Sequence, residues 1–458
     1  MTTFSNTPYE SLEVGMEAAS TRICSADDLY VFANSSGNHN PMHLPREDGD
    51  GDGRPEAVAP GMWVGALISS VLGNQLPGPG TLYKGQTLEF LDRAHAGETL
   101  VARVRVAQKL PGNVVCFDTW VERDDGLRIC EGRAEVIAPD RPMSFDDMDV
   151  PGLTVQRHQH FDRLLEMAAP LPALATAVVA PERPDALNGA LLGRDHTLID
   201  PIFVGCAKKI AAAAEELGAN LSGIEIIDIP DNRAAALRAV ALIHEGRARA
   251  LMKGHLHTDQ LLHAILKKEG GLRTNRRLSH VFVMDVPGLD HLLFVTDAAI
   301  NIAPDLDCKV SICQNAIDLA LSLGIEQPKV GVLSAVETVT PSIPSTLDAA
   351  ILSKMADRGQ ITGGLVDGPL AMDNAINLEA ARTKGITGLV AGHADVLLAP
   401  NLEAGNMIAK ELTFLAHAEA AGVVMGAQVP VILNSRADDD KARLASCAVA
   451  ALYAANRP

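Results

Sequence analysis

The chain has 458 residues, of which 47% are apolar, 21% charged and only 3% aromatic, and its formal net charge is −18. With roughly 150 residues per domain, this length predicts about three structural units. Nucleic-acid binding is not expected. Phosphate backbones are held by clustered Lys and Arg, single strands stack on aromatic side chains, and the sequence has no basic run and few aromatics.

Signals for secretion, membrane insertion and metal binding are also missing. The first 15 residues have no basic region and no apolar core, and no apolar run approaches the roughly 18 residues of a spanning helix. The seven cysteines are scattered and lack the spacing of a zinc site. The sequence therefore predicts a cytoplasmic protein with reduced thiols, no metal site and no membrane contact.

Residues 1–138 have the pattern of an α+β domain. Strand-like alternation runs through 99–107, 114–122 and 128–137. The segment 61–72 is helical and apolar nearly all round, so it must be wrapped, for instance by a curved antiparallel sheet. The Pro- and Asp-rich stretch 139–160 is interpreted as a linker.

Beyond the linker, residues 161–458 alternate between apolar strands and amphipathic helices. This pattern predicts a parallel sheet covered on both faces, with ligand sites in loops at the carboxyl ends of strands. The predicted strands are 175–179, 224–229, 248–252, 329–334, 363–366, 396–398 and 429–433, and the predicted helices are 205–217, 232–245, 346–358 and 407–421.

Two of these strand-end loops are candidate anion sites. In the first, Lys253, Gly254 and Thr258 precede a helix predicted from Asp259, and a glycine turn at a helix N-terminus beside a lysine suits an anion. The alternative is a capped turn between strand and helix with no ligand. Local spacing does not separate these readings.

The second loop places Ser435, Arg436 and Asp438 directly after a predicted strand. Arginine at a strand end can hold phosphate through two parallel hydrogen bonds. Alternatively, Ser435 or Asp438 caps a helix that begins near Asp439, with Arg436 in solvent. The two readings are compatible.

Six ordered segments resemble the phosphate acetyltransferase/phosphate butyryltransferase family over about residues 165–455. They are 251–258 (LMKGHLHT), 271–284 (GLRTNRRLSHVFVM), 296–301 (TDAAIN), 367–373 (DGPLAMD), 394–406 (ADVLLAPNLEAGN) and 434–438 (NSRAD). The forms at 271–280 and 367–373 look nearer to the butyryltransferase branch. The resemblance implies a two-lobed α/β fold with a cleft between the lobes.

This resemblance also implies an activity. Members move an acyl group reversibly between coenzyme A (CoA) and inorganic phosphate, with CoA or acyl-CoA as substrate, no bound cofactor and no metal. A homodimer or larger homo-oligomer is expected.

Site residues carried over from the family fall into three sets. Ser435 and Arg436 orient the thiol and polarise the carbonyl or phosphate. The acyl and phosphate cleft is lined by Lys253, Thr258, Arg277 and Ser279, with Asn301 near it. The loop over the site is shaped by Asn401, Glu403 and Asn406, whose alternative role is turn formation.

One position departs from the family pattern. Transacetylases often carry an aspartate six residues after the motif's arginine, interpreted as the thiol's base, and here that position is Ala442. Asp438 is the preferred substitute and Asp440 the alternative, unless no carboxylate base is used.

The first domain resembles the MaoC-like (R)-specific enoyl-CoA hydratases, which have a hot-dog fold, over about residues 10–138. The matching segments are 32–43 (FANSSGNHNPMH), 58–62 (VAPGM), 83–90 (YKGQTLEF) and 97–100 (GETL). Asn38 and His43 have the spacing of the hydratase Asp–His pair. A carboxamide cannot accept the proton of water, and losing a general base costs ~10²–10⁴-fold in rate.

Weakened or lost hydratase activity is therefore predicted for this acyl-CoA-binding domain, with His39 as a possible surrogate base. Two alternatives stay open at this point. The chain is a fully bifunctional hydratase and acyltransferase, or its first domain is an oligomerisation or acyl-CoA-sensing module without turnover.

Overall fold

The structure is a computed structural model that describes residues 3–44, 57–146, 153, 155, 158–434 and 439–457. The chain separates into two compact units, Met1–Val155 (unit 1) and Gln156–Pro458 (unit 2). None of the helices in the described ranges combines the length and apolar character needed to cross a lipid bilayer.

Unit 1 is an antiparallel sheet with the strand order β2-β4-β5-β6-β3, wrapped around one long helix, α2. Its elements are β1 (Thr3–Ser5), β2 (Glu17–Ile23), α1 (Ala26–Ser36), α2 (Gly61–Asn74), β3 (Leu82–Phe90), β4 (Thr99–Leu110), β5 (Val114–Arg123), β6 (Arg128–Ile137) and β7 (Ser144–Asp146). Short 3-10 helices span Tyr9–Ser11 and Pro41–His43.

The alternation of burial explains this wrapped arrangement. Every second residue of β4 and β5 is buried, so one face of the sheet packs on α2 while the other stays polar. The buried side of α2 consists of Trp63, Val64, Leu67, Ile68, Val71 and Leu72. The predicted α+β hot-dog fold with a wrapped helix is confirmed.

Unit 2 has a sheet with the order β10-β9-β8-β11-β18-β17-β12-β13-β16-β14-β15 in the described part of the chain. Its strands are β8 (Leu174–Val179), β9 (Ile199–Gly205), β10 (Glu225–Asp228), β11 (Ala250–Lys253), β12 (Ser279–Asp285), β13 (Leu293–Thr296), β14 (Lys329–Leu333), β15 (Leu365–Leu370), β16 (Val396–Leu398), β17 (Glu419–Met425) and β18 (Val431–Ile432).

Helices cover both faces of this sheet. They are α3 (Gln159–Ala168), α4 (Pro184–Asp195), α5 (Ala207–Leu217), α6 (Asn232–His244), α7 (Thr258–Leu266), α8 (Leu306–Ser322), α9 (Pro344–Asp357), α10 (Met372–Ile376), α11 (Leu378–Thr383), α12 (Leu402–Phe414) and α13 (Asp440–Asn456). Within the predicted linker 139–160, β7 pairs with β1, and Gln159 starts α3.

The expectation of a parallel sheet is wrong at the centre of unit 2. β12 pairs antiparallel with both β13 and β17, and β17 pairs antiparallel with β18, so the sheet is mixed. The helix predicted over 407–421 also extends too far, because α12 ends at Phe414 and β17 begins at Glu419. Short apolar runs such as 419–425 suit a buried strand or a buried helix equally well.

Candidate functional sites

The ends of β11 and β18 form one candidate site in unit 2. These strands are parallel neighbours, with Met252 paired to Ile432, so the loop that starts at Lys253 lies beside the chain leaving β18. Asn434 follows there with only 8% of its surface exposed, and neither atom of its amide has a hydrogen-bond partner among the described residues. The structure thus brings the Lys253–Thr258 loop next to the start of the 434–438 motif.

The predicted residues Ser435, Arg436 and Asp438 lie outside the described residues. The helix after them, α13, is capped by Asp439, whose carboxylate accepts a hydrogen bond from Ala442 N at 2.8 Å. Asp439 therefore takes the capping role that the sequence assigned to Ser435 or Asp438.

Ala442 and Asp440 are the two described positions that concern the base of the thiol. Ala442 is buried in α13, with 5% of its surface exposed. The Asp440 carboxylate accepts a hydrogen bond from the Asn188 amide at 3.0 Å. Asp440 is thus already engaged with another side chain of unit 2.

Two backbone amides after Lys253 already have acceptors inside the protein. Gly254 N donates to Val179 O at 2.8 Å, and His255 N donates to Ala180 O at 2.6 Å. A Cβ at position 254 would lie 2.4 Å from both Val179 O and Ala180 O, so glycine is needed here for close approach to the end of β8. Lys253 stays at the strand end, and Thr258 is the first residue of α7.

A second group of site residues surrounds Asp297, which follows β13 and is 2% exposed. Its carboxylate accepts from the backbone N of His280 (3.3 Å), Ala299 (2.9 Å), Ile300 (3.1 Å) and Asn301 (3.0 Å), and from Asn301 Nδ2 (2.5 Å). Five donors compensate the cost of burying this carboxylate. The sequence analysis missed Asp297, although an aspartate followed by small residues at a strand end is a known turn signal.

Asn301 and Ser279 lie inside this network. Asn301 Nδ2 also donates to Leu278 O at 2.8 Å. Ser279 is fully buried, and Asn315 Nδ2 lies 2.9 Å from its Oγ. Ser279 therefore presents no surface in this chain, and its observed contact is with Asn315.

Arg277, two residues before Ser279, has an exposed side chain. Its charge acts on the nearby Cys308 in the first turn of α8. Burial raises the pKa of the Cys308 thiol, Asp305 adds to the rise, and the Arg277 guanidinium opposes it. Arg277 therefore places an exposed positive charge near the first residues of β12 and of α8.

The segment 401–406 is the start of α12 docked on the Asp297 turn. Asn401 caps the helix, since its Oδ1 accepts from Ala404 N at 2.9 Å, and Asn406 Nδ2 donates to Ala298 O at 3.1 Å. Glu403 is exposed. Asn401 and Asn406 thus have structural contacts, which is the alternative role that the sequence left open.

In unit 1, His43 ends the short helix Pro41–His43, and its Nδ1 lies 2.8 Å from Val58 O. A carbonyl only accepts, so Nδ1 carries the proton and the neutral ring offers Nε2 as an acceptor. His43 lines a pocket of about 370 Å³ whose walls include Met62, Phe90 and Ile129, with Asp92 and Arg93 also present.

Asn38 and His39 are both exposed. The Asn38 Oδ1 accepts a hydrogen bond from Asn40 N at 3.3 Å, which is a local turn contact. Neither Asn38 nor His39 is among the described residues that line the His43 pocket.

Comparison with known proteins matches both units to families. The phosphate acetyl/butaryl transferase model matches residues 232–451, and the MaoC like domain model matches residues 7–122. Over 297 residues the chain is 58% identical to the phosphate acetyltransferase of Rhizobium meliloti, covering 65% of this chain and 94% of that protein. The chain belongs to the phosphate acetyl/butyryl transferase family. The predictions that the chain belongs to this family, that it is a phosphate acyltransferase and that unit 1 is MaoC-like are therefore confirmed.

Two further relatives extend the comparison. The phosphate butyryltransferase of Clostridium beijerinckii is 44% identical over 297 residues, covering 65% of this chain and 98% of that protein. The crystal structure of a branched-chain phosphotransacylase from Enterococcus faecalis V583 is 30% identical with a TM-score of 0.55, covering 62% of this chain and 100% of that one. Identity is higher to the acetyltransferase than to the butyryltransferase, opposite to the direction that the motif forms indicate.

Proposed function

We propose that unit 2 transfers an acyl group reversibly between CoA and inorganic phosphate. The observation that carries this proposal is the parallel pairing of β11 with β18, which brings Lys253 and the start of the 434–438 motif to one edge of the sheet. In a chain of this family, Lys253 then lies near the motif that contains Arg436, the arginine expected to act in the reaction.

The chemistry needs few protein groups. The CoA sulfur attacks the carbonyl carbon of an acyl phosphate, a C–S bond forms, and the C–O bond breaks as phosphate leaves with the electron pair. Negative charge develops on the carbonyl oxygen and the leaving phosphate, so local cations and donors must stabilise it against the chain's net charge of −18. We assign this role to Lys253 and Arg436, with Ser435 orienting the thiol.

The thiol's base is assigned to Asp438. Ala442 has no acidic group, and Asp440 accepts a hydrogen bond from Asn188 at 3.0 Å, so we prefer Asp438, which lies two residues after Arg436 in the sequence. In this proposal the carboxylate accepts the thiol proton as sulfur attacks, since only the thiolate is a strong nucleophile.

The remaining predicted residues receive two kinds of role. Thr258 and the exposed cation Arg277 contact the phosphate or acyl substrate. The buried or capping residues Ser279, Asn301, Asn401 and Asn406 hold the wall of the site around Asp297, and the exposed Glu403 lies at its surface.

For unit 1 we propose an acyl-CoA-binding, hydratase-like domain with weakened or lost activity. The apolar walls of the His43 pocket suit an acyl chain, and Nε2 of His43 can accept a hydrogen bond. Asn38 offers only an exposed carboxamide. A cytoplasmic homodimer or larger homo-oligomer remains our expectation for the whole chain.

Arg436→Ala tests the transferase assignment. Loss of a donor that stabilises developing negative charge should lower acyl phosphate formation by at least ~10²-fold. The assay combines phosphate with a panel of acyl-CoAs and follows release of free thiol, which also gives the acyl chain preference. Arg358→Ala removes an exposed arginine after α9 and serves as the matched control. Near-normal turnover of Arg436→Ala would show that the site is misplaced.

A further inference from the structure

His280 is buried without any exposed surface, in the second position of β12. Among the described residues neither ring nitrogen makes a hydrogen bond of full geometry, although the Leu433 carbonyl faces the ring. A buried polar group without a good partner destabilises the folded state, so such groups are rare in folded proteins and call for an explanation.

The backbone of His280 is tied to the Asp297 turn. His280 N donates to the Asp297 carboxylate at 3.3 Å, and His280 O accepts from Thr296 Oγ1 at 2.8 Å. The main chain of this residue is therefore fixed on the β13 side of the sheet.

The imidazole of His280 points toward the chain that leaves β18. It packs edge-on against Phe282 at 4.3 Å between ring centroids, and the carbonyl of Leu433 faces the ring. Leu433 is the residue between β18 and Asn434. One residue thus contacts the Asp297 turn through its backbone and, through its side chain, faces Leu433, the residue before the 434–438 motif.

Gly422 on β17 makes room for this contact. Leu433 N donates to Gly422 O at 3.1 Å. A Cβ at position 422 would lie 2.5 Å from Leu433 O and 3.0 Å from His280 Nε2. Any other residue would displace the imidazole, the Leu433 carbonyl or both, so glycine permits the two to approach each other.

We propose that His280 is a positioning residue of the transferase site: its imidazole fixes Leu433 and Asn434, the last residues before Ser435, relative to the Asp297 turn. This inference rests on the proposed function of unit 2. It explains why two buried polar side chains without described partners, His280 and Asn434, occur at the entrance to the same motif. Departures from ideal packing are expected where function requires them.

The ring acts without charge at neutral pH. Burial lowers the pKa of His280 to about 4, although the nearby Asp297 carboxylate works in the opposite direction. The neutral imidazole has one N–H donor, which can bind the Leu433 carbonyl, and one acceptor. A role in orienting the backbone fits this state better than proton transfer at pH 7 does.

The test uses the full chain with His280→Ala, His280→Phe and His280→Gln. We expect the Ala and Phe variants to lower kcat for acetyl-CoA and phosphate by ~10–10²-fold, because small misplacements of a reacting group are that costly. KM should change by less than about threefold, since the residue touches no substrate. His280→Gln keeps an amide donor and should recover much of kcat, which a purely space-filling role would not produce.

A second variant makes the test independent of the histidine. Gly422→Ala should also lower kcat, and its effect should not add to that of His280→Ala, because both changes disturb one contact. Ser322→Ala removes a buried hydroxyl that bonds Leu319 O at 2.7 Å in α8, and should leave kcat unchanged.

Normal kcat in His280→Ala and Gly422→Ala would overturn the positioning role. The same conclusion would follow if His280→Phe matched the parent enzyme, because volume alone would then suffice. If His280→Ala does not fold, His280→Gln and Gly422→Ala decide the question. Absence of acyl phosphate formation by the unmodified chain would instead contradict the proposed function.

Discussion

In unit 1 the residues that resemble a hydratase pair lie at or near the surface, whereas in unit 2 the polar residues around Asp297 are buried and bonded to one another. Asn38 contributes only a turn contact to Asn40, and His43 one contact to Val58 O. Asp297, by contrast, accepts five hydrogen bonds. An exposed catalytic position can be replaced at little cost to folding, while a buried network cannot lose a member without leaving unpaired donors. This difference in burial is consistent with our proposal that unit 1 has weakened or lost hydratase activity and that unit 2 is an active transferase.

Restoring the carboxylate in unit 1 is the strongest way to challenge this comparison. We expect Asn38→Asp to raise hydration of crotonyl-CoA by ~10²–10⁴-fold, the usual contribution of a general base, with transferase activity unchanged. The ultraviolet absorption of the conjugated thioester follows the reaction. Asn34→Asp adds the same charge at another exposed position, in α1, and should have no effect.

Two results would change the interpretation of unit 1. Rapid hydration by the unmodified chain, abolished in His43→Ala, would establish a bifunctional enzyme. No hydration in either the unmodified chain or Asn38→Asp, at high enzyme concentration, would favour a sensing or oligomerisation module.

Sequence patterns predicted β4, β5, β6 and α2 of unit 1 and, apart from β9, the strands in the flanks of the unit 2 sheet, because the signals there are local. The strand at 128–137 and the helix from Gly61 follow directly from alternation and apolar runs. The centre of unit 2 was not predicted, since β12 pairs with β17, and β13 with β16, across more than a hundred residues. Their antiparallel order cannot be seen in the periodicity of any one of them.

The same limit applies to the candidate site. Lys253 and the 434–438 motif were found because each follows a strand. Asp297 and His280 were missed because their importance depends on which strands are neighbours. The acceptor of the Gly254 amide could not be predicted for a related reason, since only the position of the β8 end reveals it.

The buried histidine gives unit 2 a pH dependence that distinguishes it from unit 1. The pKa of His280 falls from 6.5 to about 4 on folding. Between these values the unfolded chain binds a proton that the folded chain does not. This contribution to stability is therefore complete above about pH 6.5 and is lost as the pH falls to about 4. A shift of this size corresponds to about 3 kcal/mol.

Unfolding of the two units can be followed separately. Both tryptophans, Trp63 and Trp120, lie in unit 1, so their fluorescence reports unit 1, while far-ultraviolet circular dichroism reports helices of both. We expect acid to weaken the unit 2 transition in urea, and His280→Phe to reduce this pH dependence. An unchanged pH dependence in His280→Phe would show that other groups control it.

Helix caps provide the smallest and most closely matched comparison between the units. Ser25 caps α1, with its Oγ accepting from Asp28 N at 3.1 Å, and Asn401 caps α12. Replacing either by alanine should cost about 1 kcal/mol of stability. Ser25→Ala should shift the fluorescence transition and the unit 1 part of the circular dichroism transition, and leave acyl transfer normal. Asn401→Ala should shift the circular dichroism transition and also lower kcat, because the first turn of α12 contacts the Asp297 turn through Asn406. If Asn401→Ala loses stability but keeps full kcat, α12 supports the fold without shaping the site, and the buried network would extend no further than Asn301.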